Sequence, residues 1–418
     1  MTDMLRNLPE GWATTRLDRI ATVNARIGWK ALAASEYQPD GYAFLATPNI
    51  KNREIDFQNV NYISEFRYNE SPELKLQVGD VLLAKDGNTL GIVNIIHHLP
   101  RPATVNGSIA VLRSFDMEPR FLRYVIQSSF IQSHINSVKD GMGVPHLFQR
   151  DIKRFPLPAP PLTEQRRIAD FLDNEIDTLD NLVTKKRKLI ALMNERIDSQ
   201  ILRFVGSSSL VDKTTGGPVV PIRRTLSKVV RPVTAEMEAI TAYRDGQVTD
   251  RASRRPEGYT LSASAEPQGQ GVEIGDVVVH GLDGFAGAIG VAEARGYCSP
   301  VYHVCIPQGD GDARFLGRLL RLLALQGYLG NFATSTRERA VDFRNWDLFG
   351  RIPIPVVPCQ QQKKIGVEIS KVRPLHEAIE RSASLVAERR QALITAAVTG
   401  QFDVSTASGR NVTEGVAV

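Results

Sequence analysis

Two long segments of the chain carry apolar side chains at a strict seven-residue spacing. The first segment holds two such series, Leu172, Leu179 and Met193, and Ile176, Val183, Ile190 and Ile197. The second segment holds the series Ile365, Val372, Ile379, Val386 and Leu393. This spacing is typical of a coiled-coil seam rather than of a helix packed on an ordinary core. It predicts two helices of roughly 40 residues, each about 60 Å long.

A coiled-coil seam needs a second seam to pack against. The economical prediction is that the two helices pair antiparallel within the chain, and a homodimeric coiled coil is the alternative. Lys186 and Gln200 interrupt the first seam, and Pro374 lies inside the second. Because proline lacks a backbone N–H, we expect Pro374 to kink or break its helix.

A proline-rich segment of the same design precedes both helices. FPLPAPPLTEQRRI begins at Phe155 and IPIPVVPCQQQKKI begins at Ile352, so that three prolines of the first fall on the three prolines of the second and Gln165 falls on Gln362. Proline segments are stiff and have little conformational entropy in the unfolded chain. We interpret them as rigid joints between a globular domain and a helix, with Thr163 as the N-cap of the first helix.

The repeat extends into the regions before the joints. GDVLLAKDGNTLG begins at Gly79 and GDVVVHGLDGFAG begins at Gly275, and both regions show short valine-rich runs between Gly, Asn and Asp turns. These patterns predict two α+β domains of similar fold that are related by a pseudo-twofold axis. The predicted division is a first domain over 1–155, a joint and helix over 156–205, a linker and second domain over 206–352, and a joint, helix and tail over 353–418.

Composition limits the class of protein. The 418 residues carry a net charge of +5 and have a pI near 9.0, which permits a nucleic-acid partner without requiring one. Only three cysteines are present, which favours a reducing cytosol over a disulfide-bonded secreted domain. We expect no signal peptide and no membrane span, because no sufficiently long apolar run occurs.

Familiar catalytic motifs are missing from the sequence. It has no phosphate-binding loop, no dinucleotide fingerprint, no nucleophile elbow and no zinc-protease motif. It also has no Asn-Pro-Pro-aromatic run of the kind that adenine methyltransferases carry. Cys298, His303 and Cys305 lie close in sequence, but their spacing matches no common zinc site. We therefore predict no catalytic residue and no metal, and we interpret the two cysteines as buried strand residues.

Polar and basic loops are the remaining candidates for function. Arg and Lys contact phosphates, Arg reads guanine, and Asn reads adenine, although most surface charge is simply solvated. The candidate DNA contacts in the first half are Lys85, Asn88, Thr89, Arg101, Asn106, Gly143 and His146. Those in the second half are Arg251, Arg254, Arg255, His280, Arg337, Arg339 and Arg344.

With these motifs in place, the chain resembles the specificity subunits of type I restriction-modification systems. The resemblance rests on PLPAPPLTEQRRIADFLDNEIDTLDNLV (156–183), PIPVVPCQQQKKI (353–365) and RRQALITAAVTGQFDV (389–404). The second joint departs slightly, since it has Gln361-Gln362 where the first has Glu164-Gln165.

The resemblance implies a function. Each domain, a target recognition domain, would read one half of a bipartite target in double-stranded DNA, and the helices would set the spacing. The helices would also dock two methyltransferase subunits and, through them, restriction subunits. The chain itself would bind no cofactor, and S-adenosylmethionine, ATP and magnesium would belong to the partner subunits. Such a defence system against foreign DNA acts in the cytoplasm.

Two other classes of function stay open at this point. An enzyme with an unrecognised site would transfer methyl groups or cleave DNA by itself. A structural adaptor would use its coiled coil to join proteins and would never contact DNA. Scrambling the segment from Arg251 to Arg255 separates the adaptor from a DNA reader, because only the reader would lose affinity for DNA.

Overall fold

The computed structural model describes residues 5–25, 33–51, 53–140, 144–206, 218–234, 236–254, 269–332, 336–337 and 340–405. The chain forms two compact units. Unit 1 comprises residues 1–184 and 381–418, and unit 2 comprises residues 185–380. Each unit contains one globular domain and a part of both long helices. The predicted boundaries at 155, 205 and 352 stay a prediction, since this division cuts through the helices.

Unit 1 contains nine described strands. These are β1 (Ala13–Arg16), β2 (Ala21–Ala25), β3 (Tyr42–Leu45), β4 (Asn61–Ile63), β5 (Val81–Ala84), β6 (Val93–Ile95), β7 (Ala103–Val105), β8 (Ile109–Ser114) and β9 (Pro156–Ala159). Its described helices are α1 (Glu65–Asn69), α2 (Pro119–Gln127), α3 (Ser129–Val138), α4 (Gln149–Ile152) and the first part of α5 (Leu162–Val205).

Strand β5 lies in the middle of unit 1. An antiparallel sheet has the order β2-β8-β5-β6, and a smaller sheet has the order β4-β3-β7. Val81 and Leu83 of β5 pack into the core that contains α2 and α3, whereas Leu82 and Ala84 pack into the core of the smaller sheet. Because successive side chains of a strand point to opposite faces, a strand buried on both faces needs a continuous apolar run. This is why VLLA does not alternate.

Unit 2 repeats this plan with its own strands and helices. The described strands are β10 (Val219–Pro221), β11 (Leu226–Lys228), β12 (Ile240–Ala242), β13 (Val248–Asp250), β14 (Gln270–Val272), β15 (Val277–His280), β16 (Ile289–Val291), β17 (Gly296–Cys298), β18 (Tyr302–Pro307), β19 (Thr336–Arg337), β20 (Ala340–Val341) and β21 (Pro353–Pro355). The helices are α6 (Arg251–Arg254), α7 (Ala313–Leu325), α8 (Trp346–Phe349) and α9 (Cys359–Val398), which continues into unit 1.

The central sheet of unit 2 has the order β11-β18-β15-β16, which matches β2-β8-β5-β6 strand for strand. Val277 and Val279 pack against α7, and Val278 packs into a second core on the other face of the sheet. The predicted α+β class, with two domains of similar fold each followed by a long helix, is confirmed.

The proline joints are strands before they become helices. In unit 1, β9 pairs antiparallel with β1, from Ala13 opposite Ala159 to Arg16 opposite Pro156. In unit 2, β21 pairs in the same way with β10. The first helix begins at Leu162, and the carbonyl of Pro161 accepts the N–H groups of Glu164 and Gln165. The prediction of Thr163 as the N-cap was therefore wrong by two residues, because proline needs no N–H partner and is tolerated at a helix start.

A buried glutamine locks each joint. Gln165 is 4% exposed; its Nε2 donates to the carbonyl oxygen of Pro160 at 2.8 Å, and its Oε1 accepts the N–H of Glu118 at 2.8 Å. Gln362 repeats both bonds, at 2.7 Å to a proline-segment carbonyl and at 3.2 Å from the N–H of Asp312. Glu118 and Asp312 immediately precede α2 and α7. Each glutamine thus ties the start of the long helix to the start of a domain helix, α2 in unit 1 and α7 in unit 2.

The long helices pair antiparallel within each unit. In unit 1, Leu172 and Ile176 share a core with Leu393, and Arg390 pairs with Asp180 at 3.4 Å. In unit 2, Ile197, Ile201 and Val205 share a core with Ile365. Every predicted seam residue is buried or half-buried. The intrachain pairing is therefore confirmed.

Pro374 does not break its helix. Helix α9 runs unbroken from Cys359 to Val398 with Pro374 inside it and exposed. A proline removes one backbone hydrogen bond, and the neighbouring turns and the seam residues Val372 and Ile379 keep the helix in place. Of the two effects expected at Pro374, the break was wrong, and the kink stays a prediction.

Candidate nucleic-acid interface

A polar cluster follows the central strand of unit 1. Strand β5 ends at Ala84, and a 3-10 turn follows at Gly87–Thr89, with Asp86 at its N-cap. The Asp86 carboxylate contacts the ring Nδ1 of His146 and accepts from Nζ of Lys85 at 3.4 Å. Because a carboxylate is only an acceptor, Nδ1 of His146 carries the proton. The cluster therefore places two nitrogen donors around one acid.

Backbone bonds bring further predicted residues to this cluster. The N–H of Lys85 donates to the carbonyl of Ser108 at 2.9 Å, and the Asn106 side chain accepts the N–H of Ser108 at 3.1 Å. Asn88 is exposed and Thr89 is half-buried on the 3-10 turn. The structure therefore brings together Lys85, Asn88, Thr89, Asn106 and His146.

Arg101, another predicted contact of unit 1, lies outside the cluster. Arg101 precedes β7, whereas Asn106 follows it, so the length of that strand separates them. Arg101 donates to Asp40 at 2.7 Å, and its guanidinium lies 4.8 Å from the centre of the Tyr62 ring. Gly143 lies outside the described residues. Arg101 therefore belongs to a separate part of the surface.

The corresponding cluster of unit 2 follows β15. A 3-10 turn at Gly284–Ala286 has Asp283 at its N-cap, and Arg244 Nη2 donates to Asp283 Oδ1 at 2.9 Å. His280 Nε2 lies 4.0 Å from Asp283 Oδ2. The Nδ1 of His280 accepts the N–H groups of Leu282 and Asp283, at 3.1 and 3.0 Å. The neutral ring therefore carries its proton on Nε2, and burial lowers the pKa of His280.

Arg344 lies beside this cluster. The N–H of Phe343 donates to the carbonyl of Gly281 at 2.7 Å, and a Cβ on Gly281 would lie 2.9 Å from Arg344 Cγ. The Arg344 guanidinium pairs with Asp342 at 2.6 Å. Arg337 is in β19, which pairs with β20, and Arg339 lies outside the described residues.

The described arginines of the predicted Arg251–Arg255 stretch differ in their contacts. Arg254 donates to both carboxylate oxygens of Asp245 at 3.0 and 2.6 Å, and it stacks 4.0 Å from the Tyr243 ring centre. The bonds to Asp245 raise the pKa of Arg254. Arg251 is exposed at the start of α6, and Arg255 lies outside the described residues. Arg254 is thus held on the β12–β13 hairpin that also carries Arg244.

The pairing role of the central carboxylates is the part that the sequence did not predict. Asp86 and Asp283 lie in the polar loops that the sequence indicated, each followed by glycine and each soon after the central strand, but nothing in the sequence predicted which donors they contact. The Gly79 and Gly275 motifs align with a shift of 196 residues, whereas the two Asp-Gly pairs need one residue more. Allowing that single insertion is the signal that would have superposed them.

The cysteines of unit 2 are buried strand residues, as predicted. Cys298 lies in β17 and Cys305 in β18, and burial raises the pKa of both thiols to about 12. Within the described ranges, no three His, Cys, Asp or Glu side chains are grouped so that they could hold a metal ion. No helix in the described part of the chain is long and apolar enough to cross a membrane.

Sequence comparison gives these clusters a context. Residues 9–191 match the family model for the type I restriction modification DNA specificity domain. The type I restriction enzyme MjaVIII specificity subunit of Methanocaldococcus jannaschii is 24% identical over 186 residues, which are 43% of this chain and 42% of that protein. The EcoKI specificity subunit of Escherichia coli is 26% identical over 210 residues, which are 49% and 45% of the two chains. The chain spans less than half of the length of these curated relatives.

Solved structures are similar over nearly the whole chain. A chain from a structure of the type I R-M system, concerned with its complex assembly and conformational transition, has a TM-score of 0.63 at 15% identity and covers 95% of this chain and 100% of its own length. The HsdS subunit from Thermoanaerobacter tengcongensis has a TM-score of 0.51 at 16% identity, over 96% of this chain and 100% of its own. These likenesses concern the fold. Residues 9–191 thus match the type I restriction modification DNA specificity domain, and the predicted resemblance of the chain to the specificity subunits of these systems is confirmed.

Proposed function

We propose that this chain is the DNA sequence-recognition subunit of a type I restriction-modification complex. The observation that carries the proposal is the repeated cluster of donors at the end of the central strand in both domains, in a chain whose first half has the specificity-domain sequence. Two readers in one chain fit a bipartite target, with one half-site for each domain. The chain would act as a binding protein without a catalytic residue of its own.

The side chains of unit 1 suit the edges of bases and the backbone of double-stranded DNA. Asn88 is exposed on its turn, and an asparagine amide can bond adenine with both of its polar groups. Lys85 and His146 add nitrogen donors that suit phosphate or guanine. Arg101, at the other end of β7, would contact the DNA backbone farther along the duplex.

In unit 2 the donors are Nε2 of His280 and the guanidinium groups around it. A neutral His280 with its proton on Nε2 offers one donor, which suits the acceptors N7 and O6 of guanine. Arg244 and Arg344 are exposed and suit phosphates or guanine. The remaining contacts predicted in this unit would lie on the same domain: Arg251, Arg254, Arg255, Arg337 and Arg339.

The paired helices would set the distance between the half-sites and dock the partner subunits. A protein with two readers constrains the spacing of its half-sites along the duplex. Two methyltransferase subunits, and through them restriction subunits, would assemble on this frame in the cytoplasm. S-adenosylmethionine, ATP and magnesium would bind to those partners, whose methyltransferase would act on an adenine flipped out of the duplex.

The test is adenine methylation mapping. The chain is co-expressed with its adjacent methyltransferase subunit in a methylation-deficient host, and modified adenines are mapped across the genome. We expect one split motif with a modified adenine in each half and a fixed spacing. No new motif, with both proteins present and associated, would overturn the proposal and favour an adaptor.

Single substitutions assign each half-site to its domain. We expect Asn88→Ala to relax the motif in one half and Arg244→Ala to affect the other half, because each side chain belongs to a different domain. A lost bidentate base contact costs about 1–3 kcal/mol, which is about a 5- to 150-fold change in discrimination. Asn136→Ala is the matched control for Asn88→Ala, since Asn136 is exposed on α3 of the same unit and outside the cluster. Changes in both halves from one substitution would contradict the assignment.

A further inference from the structure

Asp86 and Asp283 occupy the same position in two domains, and neither carboxylate performs the usual task of that position. An aspartate at an N-cap normally accepts a backbone N–H of the turn that follows it. Both residues stand at the N-cap of a 3-10 turn, and in neither turn does the aspartate side chain make a capping hydrogen bond. The two carboxylates therefore do not serve to close their own turns.

Each carboxylate instead contacts cationic or donor groups. Asp86 contacts His146, which is 60 residues away in sequence, and Asp283 pairs with Arg244, which is 39 residues away. These partners are among the groups that the proposed function places against DNA. The acid of each cluster thus occupies the donors that a phosphate or a base would need.

The other acids beside candidate DNA contacts also bond the backbone, which separates them from this pair. Asp245 accepts the N–H of Gln247, Asp342 accepts the N–H of Arg344, and Asp40 is bonded by the backbone of Gly41. Among the described residues, no backbone N–H donates to the carboxylate of Asp86 or of Asp283. Their carboxylates contact the side-chain donors of the clusters and do not accept a backbone N–H of the loop.

We infer that Asp86 and Asp283 are specificity-determining residues that keep the donors of each cluster paired away from non-target DNA. This inference rests on the proposed function and deepens it. Non-specific affinity for DNA comes almost entirely from phosphate neutralisation, so a carboxylate that occupies an arginine and repels phosphates lowers that affinity. A matching target adds base contacts that compete with the acid, and discrimination improves because the wrong partner is penalised.

The ion pair of unit 2 is suited to opening. The Arg244 side chain is 68% exposed and that of Asp283 is 42% exposed. Exposed ion pairs contribute only about 0–1 kcal/mol, so DNA contacts can replace them at little cost. The pair of unit 2 is therefore strong enough to shift weak binding several-fold and too weak to block a full set of target contacts.

The experiment compares Asp283→Asn with the unaltered chain in its complex with the methyltransferase subunit. Binding to a short duplex without the mapped motif, and to one with it, is followed by fluorescence anisotropy over a series of salt concentrations. We expect non-target affinity to rise about three- to fivefold, which is the factor that an exposed ion pair can supply. We also expect the slope of log affinity against log salt to become steeper by about 0.9, because one more phosphate is neutralised. The ratio of target to non-target affinity falls.

Asp86→Asn is the independent variant in unit 1, and its effect is expected in the same direction.

Asp170→Asn is the matched control. It removes the same charge from an exposed acid whose arginine, Arg120, stays bonded to Glu118 and Asp173. A rise in non-target affinity no larger than that of Asp170→Asn, or no rise at all, would overturn the inference and leave the proposed function standing. Absence of binding to either duplex by the unaltered complex would overturn the proposed function, and the inference with it.

Discussion

The two proline joints use the same contacts, whereas the two donor clusters have the same backbone turn and different donor side chains. In each joint a buried glutamine bonds a carbonyl of the proline segment and the N–H that precedes a domain helix. In the clusters, both domains have an aspartate before a 3-10 turn, but the donors are Lys85 and His146 in one and Arg244 and His280 in the other.

This difference follows from burial. A buried polar group that loses its partner costs the full price of its desolvation, so a joint tolerates few alternatives. A polar group in an exposed loop that loses its partner can bond water instead, so loop side chains vary without such a penalty. The chain therefore combines duplicated joints and sheets with two different donor clusters. Under the proposed function, two different clusters would suit the two unlike halves of a split target.

The largest expected effect concerns a buried aspartate that is present in both units and pairs with a differently placed arginine in each. Asp80 and Asp276 have side chains that are 1% and 4% exposed, and each accepts a backbone N–H three residues earlier in the chain. Arg113 of β8 pairs with Asp80, but Arg231, which follows β11, pairs with Asp276. We expect Asp80→Ala and Asp276→Ala each to lower the free energy of unfolding by about 3 kcal/mol.

Urea unfolding measures this effect, and Asp40→Ala is the control, because the Asp40 side chain is 80% exposed although it also pairs with an arginine. The control is expected to unfold at the same urea concentration as the unaltered chain. Clearly unequal losses for Asp80→Ala and Asp276→Ala would show that the partner, rather than the repeated acid, sets the stability of each sheet.

The second prediction tests the joints. Gln165→Leu and Gln362→Leu each leave a backbone N–H and a carbonyl without their side-chain partner, so we expect each substitution to cost about 2 kcal/mol. Gln361→Leu is a closely matched control, since Gln361 is the adjacent residue and is exposed. Thermal and urea unfolding of the three variants measure the difference. A loss from Gln361→Leu as large as that from Gln362→Leu would refute the role of the buried amide.

The sequence predicted the frame well because apolar periodicity and proline reflect strong physical constraints. Seam residues such as Leu172 and Ile365 must be buried, and a seven-residue spacing leaves few other structures. The break expected at Pro374 did not occur, because one lost hydrogen bond in a long helix is outweighed by tertiary packing. Local propensity is a weak predictor where tertiary contacts decide.

The donor clusters were only partly predictable. Lys85 and His146 are 61 residues apart, and only the fold shows that the backbone of Leu147 bonds the carbonyl of Lys85 at 2.9 Å. Arg101 has the right chemistry but lies at the far end of β7. Residue type indicates what a side chain can bind, but the pairing of strands decides which side chains meet. The pairing role of the two acids was not predicted, because their partners are distant in sequence.

The third prediction concerns the pH dependence of stability and compares a buried histidine of unit 2 with an exposed histidine. His303 is 1% exposed, its Nε2 lies 2.6 Å from the carbonyl oxygen of Phe343, and burial lowers its pKa. The unfolded chain therefore binds a proton more readily than the folded chain, so stability falls as pH falls below about 6.5, the usual histidine value. The expected slope is at most about 1.4 kcal/mol per pH unit for this residue.

Trp346 reports this loss, because its ring lies 5.3 Å from that of His303. With Trp12→Phe and Trp29→Phe, Trp346 is the remaining tryptophan of the chain's three. Thermal unfolding is then followed by Trp346 fluorescence at pH 7 and at a series of lower pH values. We expect His303→Gln to reduce the acid-induced loss, whereas His98→Gln, at an exposed position, leaves it unchanged. An identical pH dependence for all three chains would contradict the prediction.

The smallest expected effect leaves stability unchanged and compares the starts of the two long helices. Cys359 is the first residue of α9 and is exposed, whereas burial raises the pKa of Cys298 and Cys305 to about 12. Because the thiolate is the reactive form, we expect a thiol reagent to modify only Cys359 in the folded chain and all three cysteines after denaturation. Leu162 is the first residue of α5 and is 45% exposed, so Leu162→Cys places a matched thiol at the other joint. If the joints are equivalent, the two thiols react at similar rates. Slow reaction at position 162 alone would show that the first joint is covered in a way that the second is not.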